Sequence, residues 1–444
     1  MGILNWGFRS TIKVHQSSPQ DSIIVSPEKI SSPDSKDVEK QDSTAVKFTD
    51  FTKTLELIDP SKKLWLNPLL FNGSLQTLYY TSIDVSNKFK IWYGRELFHY
   101  SDGGSSSLDW VIPEPDSVEE FKKLGTETLP EGYPKLHPRT RYLSNNEAEA
   151  INKADDLKTT PIVVILHGLG GGSHEPLIRN FAEVIDKNTN GWDVVVVNNR
   201  GCCRTKITSN KVFNAGSTND IREVLQKFKK QWPNRPIFVT GFSFGAALLS
   251  NFLGEEGEKA DLEKSEDSKH TERLVAAACA VGCPWDFVDS AYHIQNSLTG
   301  RMLLNPALAK FLAKIVTNNY AELKELNPEL VNDQTMKELK NIKTTWQFDD
   351  LITCKLTPYK NAFEYYRELS PIRKILKIKT PYLILNSTDD PAVGCRLPIL
   401  DAKTNPYLCL VETDMGGHLG YVQTSGEFWC VKVVEEFLQK FAEL

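Results

Sequence analysis

The chain has 444 residues, of which 40% are hydrophobic and 10% aromatic, enough for one large buried core with excursions from it. A formal net charge of −5 gives no electrostatic case for nucleic acid, and no apolar stretch reaches the roughly 18 residues of a membrane span. The eight cysteines form no C-x-x-C pair and several lie inside apolar runs, so they read as reduced, buried thiols of an intracellular, cytoplasmic protein, with neither cofactor nor metal expected.

Met1 to Lys13 is too short and too polar for a signal peptide, and Trp6 stands where a myristoylation signal needs Ser or Thr. Residues 1–47 are expected to be largely disordered, because 16–47 carry Ser, Pro, Asp and Lys with few large apolar groups to offset the entropy of ordering. Residues 48–160 predict an N-terminal extension of a sheet. Phe89 to Phe98, the turn Ser101-Asp102-Gly103-Gly104 and Leu108 to Val111 read as antiparallel strands at one edge. Leu75 to Tyr80 reads as a helix that packs on the main body or lines the substrate site. Asn72-Gly73-Ser74 and Asn386-Ser387-Thr388 match glycosylation acceptors only formally, and His137-Pro138-Arg139-Thr140-Arg141 reads as a set of surface anchors.

Residues 161–283 predict the first part of an alternating strand–helix core. Pro161 to Leu166 is a strand that empties into His167-Gly168-Leu169-Gly170-Gly171-Gly172-Ser173. A helix follows from about Glu175, then a strand from Trp192 to Asn198 ending at Asn199-Arg200-Gly201-Cys202-Cys203-Arg204, then a helix from Asp220 to Gln231. The strand Pro236 to Val239 runs into Gly241-Phe242-Ser243-Phe244-Gly245 and a helix. Glu255 to Arg273 reads as a charged, flexible surface loop, and Leu274 to Val281 resumes the sheet. Residues 284–370 predict a helical cap, with Leu304, Leu308, Phe311, Leu312, Ile315 and Val316 as one apolar stripe that packs on the domain below and roofs the site. Residues 371–444 complete the core: Thr380 to Asn386 is a strand leading to Asp389-Asp390-Pro391, Tyr407 to Val411 is another leading to Asp414-Met415-Gly416-Gly417-His418-Leu419-Gly420, and Glu427 to Leu444 is the last helix.

Gly241-Phe242-Ser243-Phe244-Gly245, between a strand and a helix, has the form of a nucleophile elbow, in which glycines two residues either side of the serine let the chains cross. A serine nucleophile needs a histidine base and an orienting carboxylate, which in this arrangement follow in the order acid, then histidine. Asp390, directly before a proline at a strand end, is the preferred acid, with Asp389 the alternative. His418 is the base, since His293 lies in a helix and His270 in a charged loop. The glycine run after Leu166 fits an oxyanion loop, with the N–H groups of Leu169 and Phe244 as donors. No Gly-Lys-Ser/Thr or G-x-G-x-x-G accompanies it, which argues against a phosphate cradle. His167 is expected to hold the turn together, and a strained disulfide between Cys202 and Cys203 is disfavoured.

Gly171-Gly172-Ser173-His174-Glu175-Pro176, Asn199-Arg200-Gly201-Cys202, Ser243-Phe244-Gly245-Ala246, Asn251 to Gly257, Pro284-Trp285-Asp286 and Asp389-Asp390-Pro391 together resemble the α/β-hydrolase branch of fungal medium-chain fatty-acid ethyl ester synthases/esterases and monoacylglycerol lipases. The resemblance, over roughly residues 64–444, implies an α/β-hydrolase fold: a mostly parallel doubly wound sheet with a helical cap inserted before the acid strand and an N-terminal strand extension. It implies a serine hydrolase of medium-chain acyl esters, monoacylglycerols or acyl-CoA, with Ser243, Asp390 and His418 as its triad. Some members associate with lipid droplets or mitochondrial membranes, although no anchor is visible here. Cys283 and Gly420 replace an Asn and an Ala of the synthases, and the cap between Val316 and Tyr365 is shorter, which leans toward the esterase or lipase side. No histidine has an Asp five positions later, so alcohol acyl transfer would have to use the serine. A non-catalytic ligand-binding protein on the same fold is the remote alternative.

Overall fold

Runs of β-branched and apolar residues such as Ile162-Val163-Val164-Ile165-Leu166 form the centre of a large sheet. The computed structural model describes residues 9–25, 30–31, 45–83, 88–265 and 273–444. Among them, eleven strands join this sheet: β1 (Arg9–Gln16), β2 (Lys63–Trp65), β3 (Trp92–His99), β4 (Ser105–Ile112), β5 (Thr140–Tyr142), β6 (Ile162–Leu166), β7 (Asp193–Asn198), β8 (Ile237–Phe242), β9 (Ala277–Val281), β10 (Tyr382–Ser387) and β11 (Leu408–Thr413). Their spatial order is β2-β1-β11-β10-β9-β8-β6-β7-β4-β3-β5. From β7 through β11 every neighbouring pair is parallel. All residues of β6, β8, β9, β10 and β11 are buried, as in strands covered on both faces. The flanking pairs β1–β11, β1–β2, β4–β7 and β3–β4 are antiparallel.

The helices that position the site are α1 (Gly73–Ser82), α2 (Pro176–Asn188), α3 (Thr218–Gln231), α4 (Phe244–Ser265), α5 (Phe287–Asn296), α6 (Asn305–Asn318), α7 (Ala362–Leu369) and α8 (Trp429–Ala442). Side chains alternate across the sheet with the period of two that a strand imposes. Val163 and Ile165 join Phe181 of α2 and Phe437 of α8 on one face, while Ile162, Val164 and Leu166 join Phe228 of α3 and Phe252 of α4 on the other. Between β9 and β10 the chain runs through α5, a π-helical turn at Gly300–Leu304, α6, shorter helices and α7. A third apolar cluster, built on Leu312, Ile315, Val316, Phe213 and Phe348, joins this excursion to the loop after β7.

Three expectations are corrected. Residues 9–16, placed in a largely disordered segment, form β1, which pairs with β11 from Ile12↔Thr413 to Gln16↔Cys409. Its hydrogen-bonding partner lies at the far end of the chain, beyond the reach of local composition. Short strands at Ile24–Val25, Ile30–Ser31 and Val46–Lys47 form a separate small sheet; 26–29 and 32–44 lie outside the described residues. Second, 255–265 continue α4 instead of forming a loop. The charge of Glu255 is used in packing: it accepts from Thr218 at 2.7 Å, Arg222 at 3.0 Å and Lys374 at 2.9 Å. His270, within the rest of that stretch, is not among the described residues. Third, the cap stripe splits. Leu312, Ile315 and Val316 are buried, whereas Phe311 is 47% exposed and lies on Gly170, where an added Cβ would stand 3.2 Å from that of Phe311.

Candidate active site

Ser243 sits between β8 and α4 with φ 54°, in the left-handed region that costs a serine conformational energy. Its N–H donates to the Val281 carbonyl at 2.8 Å. A Cβ on Gly241 would come within 2.6 Å of the Ala246 Cα, and one on Gly245 within 2.3 Å of the Leu166 carbonyl oxygen. Both positions therefore need glycine because backbones cross there. Strained and stripped of neighbours, the serine projects beyond the carboxyl ends of the strands, where open α/β sheets place their sites.

β10 and β11 deliver the other two groups. His418 Nε2 lies 2.8 Å from Ser243 Oγ, and its Nδ1 lies 2.8 Å from Asp390 Oδ2. The other Asp390 oxygen accepts from the Ala392 and Val393 N–H groups at 2.8 and 2.9 Å, which fixes the carboxylate in a buried position. With Nδ1–H donating to Asp390, Nε2 is left to accept the serine proton. Asp389 turns elsewhere: its Oδ1 accepts from Ser387 Oγ at 2.6 Å and from the Gly416 and Gly417 N–H groups at 3.0 and 2.8 Å. It thus holds the loop that carries His418 without touching the imidazole.

That loop is braced from two directions that sequence reasoning did not find. From α1, Thr77 Oγ1 accepts the His418 N–H at 2.8 Å and donates to the Gly73 carbonyl at 2.7 Å. Gln76 Oε1 accepts the Val422 N–H at 2.8 Å. The helix assigned to the main body or the substrate site thus rests on the histidine loop. From β1, Ser10 Oγ accepts the Met415 N–H at 3.0 Å, and Asp414 accepts from the Thr11 N–H and hydroxyl at 2.8 and 2.6 Å.

On the other side of Ser243, β6 runs into the glycine loop. His167 Nδ1–H donates to the Gly168 carbonyl at 2.7 Å, and its Nε2 accepts the Asn199 N–H at 3.1 Å. Burial pushes this histidine down to about 4, so it stays neutral and pins two loops together. Leu169 and Phe244 both pack against the cap's apolar cluster. Glu175, legible in sequence only as a helix start, has its carboxyl under the same loop: a Cβ on Gly171 would fall 2.2 Å from its Cδ. Burial raises this carboxyl's pKa against the lowering pull of His174 and of the Gly168 and Gly172 backbones.

The remaining candidates have structural surroundings. All eight cysteines are free, and Cys202 and Cys203 form no disulfide. Asn386 is buried in β10, accepting from Trp285 Nε1 at 3.0 Å and donating to the Cys283 carbonyl at 3.1 Å, so it offers no glycosylation site. His293 on α5 packs against Gly394 of the loop after Asp390. Arg141, placed at the surface, is buried and paired with Glu147. No helix among the described residues is long and apolar enough to cross a membrane.

Residues 161–262 match the family model described as alpha/beta hydrolase fold. The chain is 38% identical over 432 residues to medium-chain fatty acid ethyl ester synthase/esterase 2 of Saccharomyces cerevisiae, covering 91% of this chain and 92% of that one. It is 36% identical over 433 residues to monoacylglycerol lipase of the same yeast, covering 96% and 90%. With identity sustained over nearly the whole length of both, the chain belongs to the α/β-hydrolase family, in the group that contains these two yeast enzymes.

Proposed function

We propose that the protein is a serine hydrolase that cleaves medium-chain acyl esters, monoacylglycerols or fatty-acid ethyl esters, through an acyl-serine intermediate. The observation that carries this reading is the unbroken relay from Ser243 through His418 to Asp390, both steps at 2.8 Å, on an elbow that holds the serine at φ 54°. In the first half-reaction Ser243 Oγ attacks the ester carbonyl while His418 Nε2 takes its proton; Asp390 keeps the imidazole in the required tautomer and stabilises the imidazolium. The N–H groups of Leu169 and Phe244 receive the oxyanion, a donor of this kind contributing about 3 kcal/mol to the transition state. His418 then protonates the departing alkoxide. In the second half-reaction the histidine deprotonates water, which attacks the acyl-serine; the acyl–Oγ bond breaks, His418 returns the proton to Ser243 Oγ and the acid is released.

The cap supports an acyl substrate. Phe311 lies over the glycine loop, and Leu298, Met302 and Leu303, earlier in the same excursion, are 64%, 65% and 67% exposed. Phe311 beside the glycine loop suits an acyl chain, and exposed apolar side chains on the cap suit work at a lipid-droplet or membrane surface. A second reading, alcohol acyl transfer, is favoured by one observation: a relative 38% identical is named as both synthase and esterase. The acyl-serine would then be attacked by ethanol in place of water, with His418 again removing the proton.

One experiment separates the two. Purified protein and Ser243→Ala are incubated with monooctanoylglycerol or octanoyl-CoA in ethanol-containing buffer, and octanoate and ethyl octanoate are quantified together. Mainly octanoate, lost in the variant, is the expected result; predominant ethyl octanoate would make the protein an acyltransferase. Formation of neither product would leave the fold as a ligand-binding scaffold.

A further inference from the structure

We infer that His137, His174 and Cys203 form a binding site for one zinc-type divalent ion, separate from the Ser243 site. The three residues come from the loop before β5, the segment after the glycine loop and the turn after β7, too far apart in sequence to read as a metal motif. Their ligand atoms all lie within 4.8 Å of one another. Zn–N and Zn–S bonds of about 2.0 and 2.3 Å place tetrahedral donors roughly 3.5 Å apart. Cys203 Sγ and His174 Nδ1 already stand at that spacing, 3.4 Å. The His137 and His174 rings stack face to face with centroids 3.9 Å apart and planes 1° from parallel. Bringing a His137 nitrogen onto the ion requires its ring to tilt about χ2, a broad and soft torsion.

Donor types and surroundings fit the same ion. Two imidazoles and a thiolate suit zinc over hard cations. Three protein ligands leave a fourth position for water or another ligand, and both histidines that would hold the ion are half-buried. The sulfur has hydrogen-bonding company: Arg95 Nη2 donates to it at 3.3 Å and Ser173 Oγ lies 3.5 Å away. Arg95 does not set a free charge beside the ion, since Asp109 accepts from it at 2.7 and 2.8 Å with both side chains buried. Binding is balanced by release to solvent of the proton that Sγ and Nδ1 share. An added Cβ on Gly172 would fall 2.5 Å from the Cys203 Cβ, so the occupied site would clamp the end of the glycine loop to the turn after β7.

Co2+ serves as the probe, because a cobalt–thiolate bond absorbs in the near ultraviolet and tetrahedral cobalt absorbs in the visible. Titration of the full chain should give both bands with saturation at one equivalent, release of one proton, and loss of the bands when Zn2+ is added. Cys203→Ser should abolish the near-ultraviolet band, and His137→Ala should weaken binding at least about tenfold; Cys202→Ser should change neither. Fluorophosphonate labelling of Ser243 shows that each variant is folded. Should Cys203→Ser fail to fold, the half-buried His137 decides alone. Absence of the thiolate band in the parent protein, or its persistence with unchanged affinity in His137→Ala, would overturn the site.

Discussion

Asp390 holds the His418 imidazole while Asp389, one position earlier, holds two backbone amides of the loop that carries it. Their substitutions should therefore differ in kind. Asp390→Asn presents an amide where a carboxylate fixed the tautomer, and kcat for ester hydrolysis should fall about 10^3- to 10^4-fold with little change in KM. Asp389→Asn loosens a loop, and its loss should stay within roughly tenfold, accompanied by lower thermal stability; the reverse ranking would move the acid to Asp389. His167 makes a pH prediction. Its pKa lies near 4 when folded against 6.5 unfolded, so below pH 6.5 the unfolded chain binds a proton that the folded chain refuses. Its contribution is intact above pH 6.5 and is lost progressively as pH falls toward 4, in total about 3 kcal/mol. Denaturant melts should show His167→Gln with lower stability at pH 7 and a shallower decline between pH 6.5 and 4.

At the scale of elements, legibility followed the range of the forces. The elbow could be read because its steric demands lie within five residues, Gly241 to Gly245, and β6 to β11 because continuous apolar runs mark strands buried on both faces. β1 and the bracing role of α1 could not: Thr77 meets His418 across 341 positions, and Ser10 meets Met415 across 405. The charges of Glu255 and Glu256 signalled solvent until α3 and Lys374 supplied their partners. Long-range support of this kind has kinetic consequences. Thr77→Val keeps the shape of the α1 contact but removes the acceptor for the His418 N–H, at a cost of about 1 kcal/mol. Assays should show kcat lower by about three- to tenfold while KM and circular dichroism stay unchanged. A variant with parental kcat would reduce α1 to a packing element.

Across the whole molecule, the site joins two layers that fold for different reasons. The sheet and its helices fix Ser243, Asp390 and His418 from beneath, whereas the side chains of Leu169 and Phe244, the residues assigned the oxyanion N–H groups, pack into the cluster shared with the cap. If those N–H groups receive the oxyanion as proposed, cap packing and transition-state stabilisation are coupled. Leu312→Ala hollows that cluster and should cost about 2–5 kcal/mol of stability, and it should lower kcat while fluorophosphonate still labels Ser243. Parental kcat in a destabilised Leu312→Ala would show that the cluster supports the fold without reaching the site. Acid-quenching the protein during turnover of a medium-chain acyl ester and mapping the modified peptide by mass spectrometry decides whether Ser243 carries the acyl group. One acyl group on Ser243 is expected, with neither adduct nor turnover in Ser243→Ala; undiminished turnover in that variant, or an acyl group on another residue, would rule out the acyl-serine mechanism.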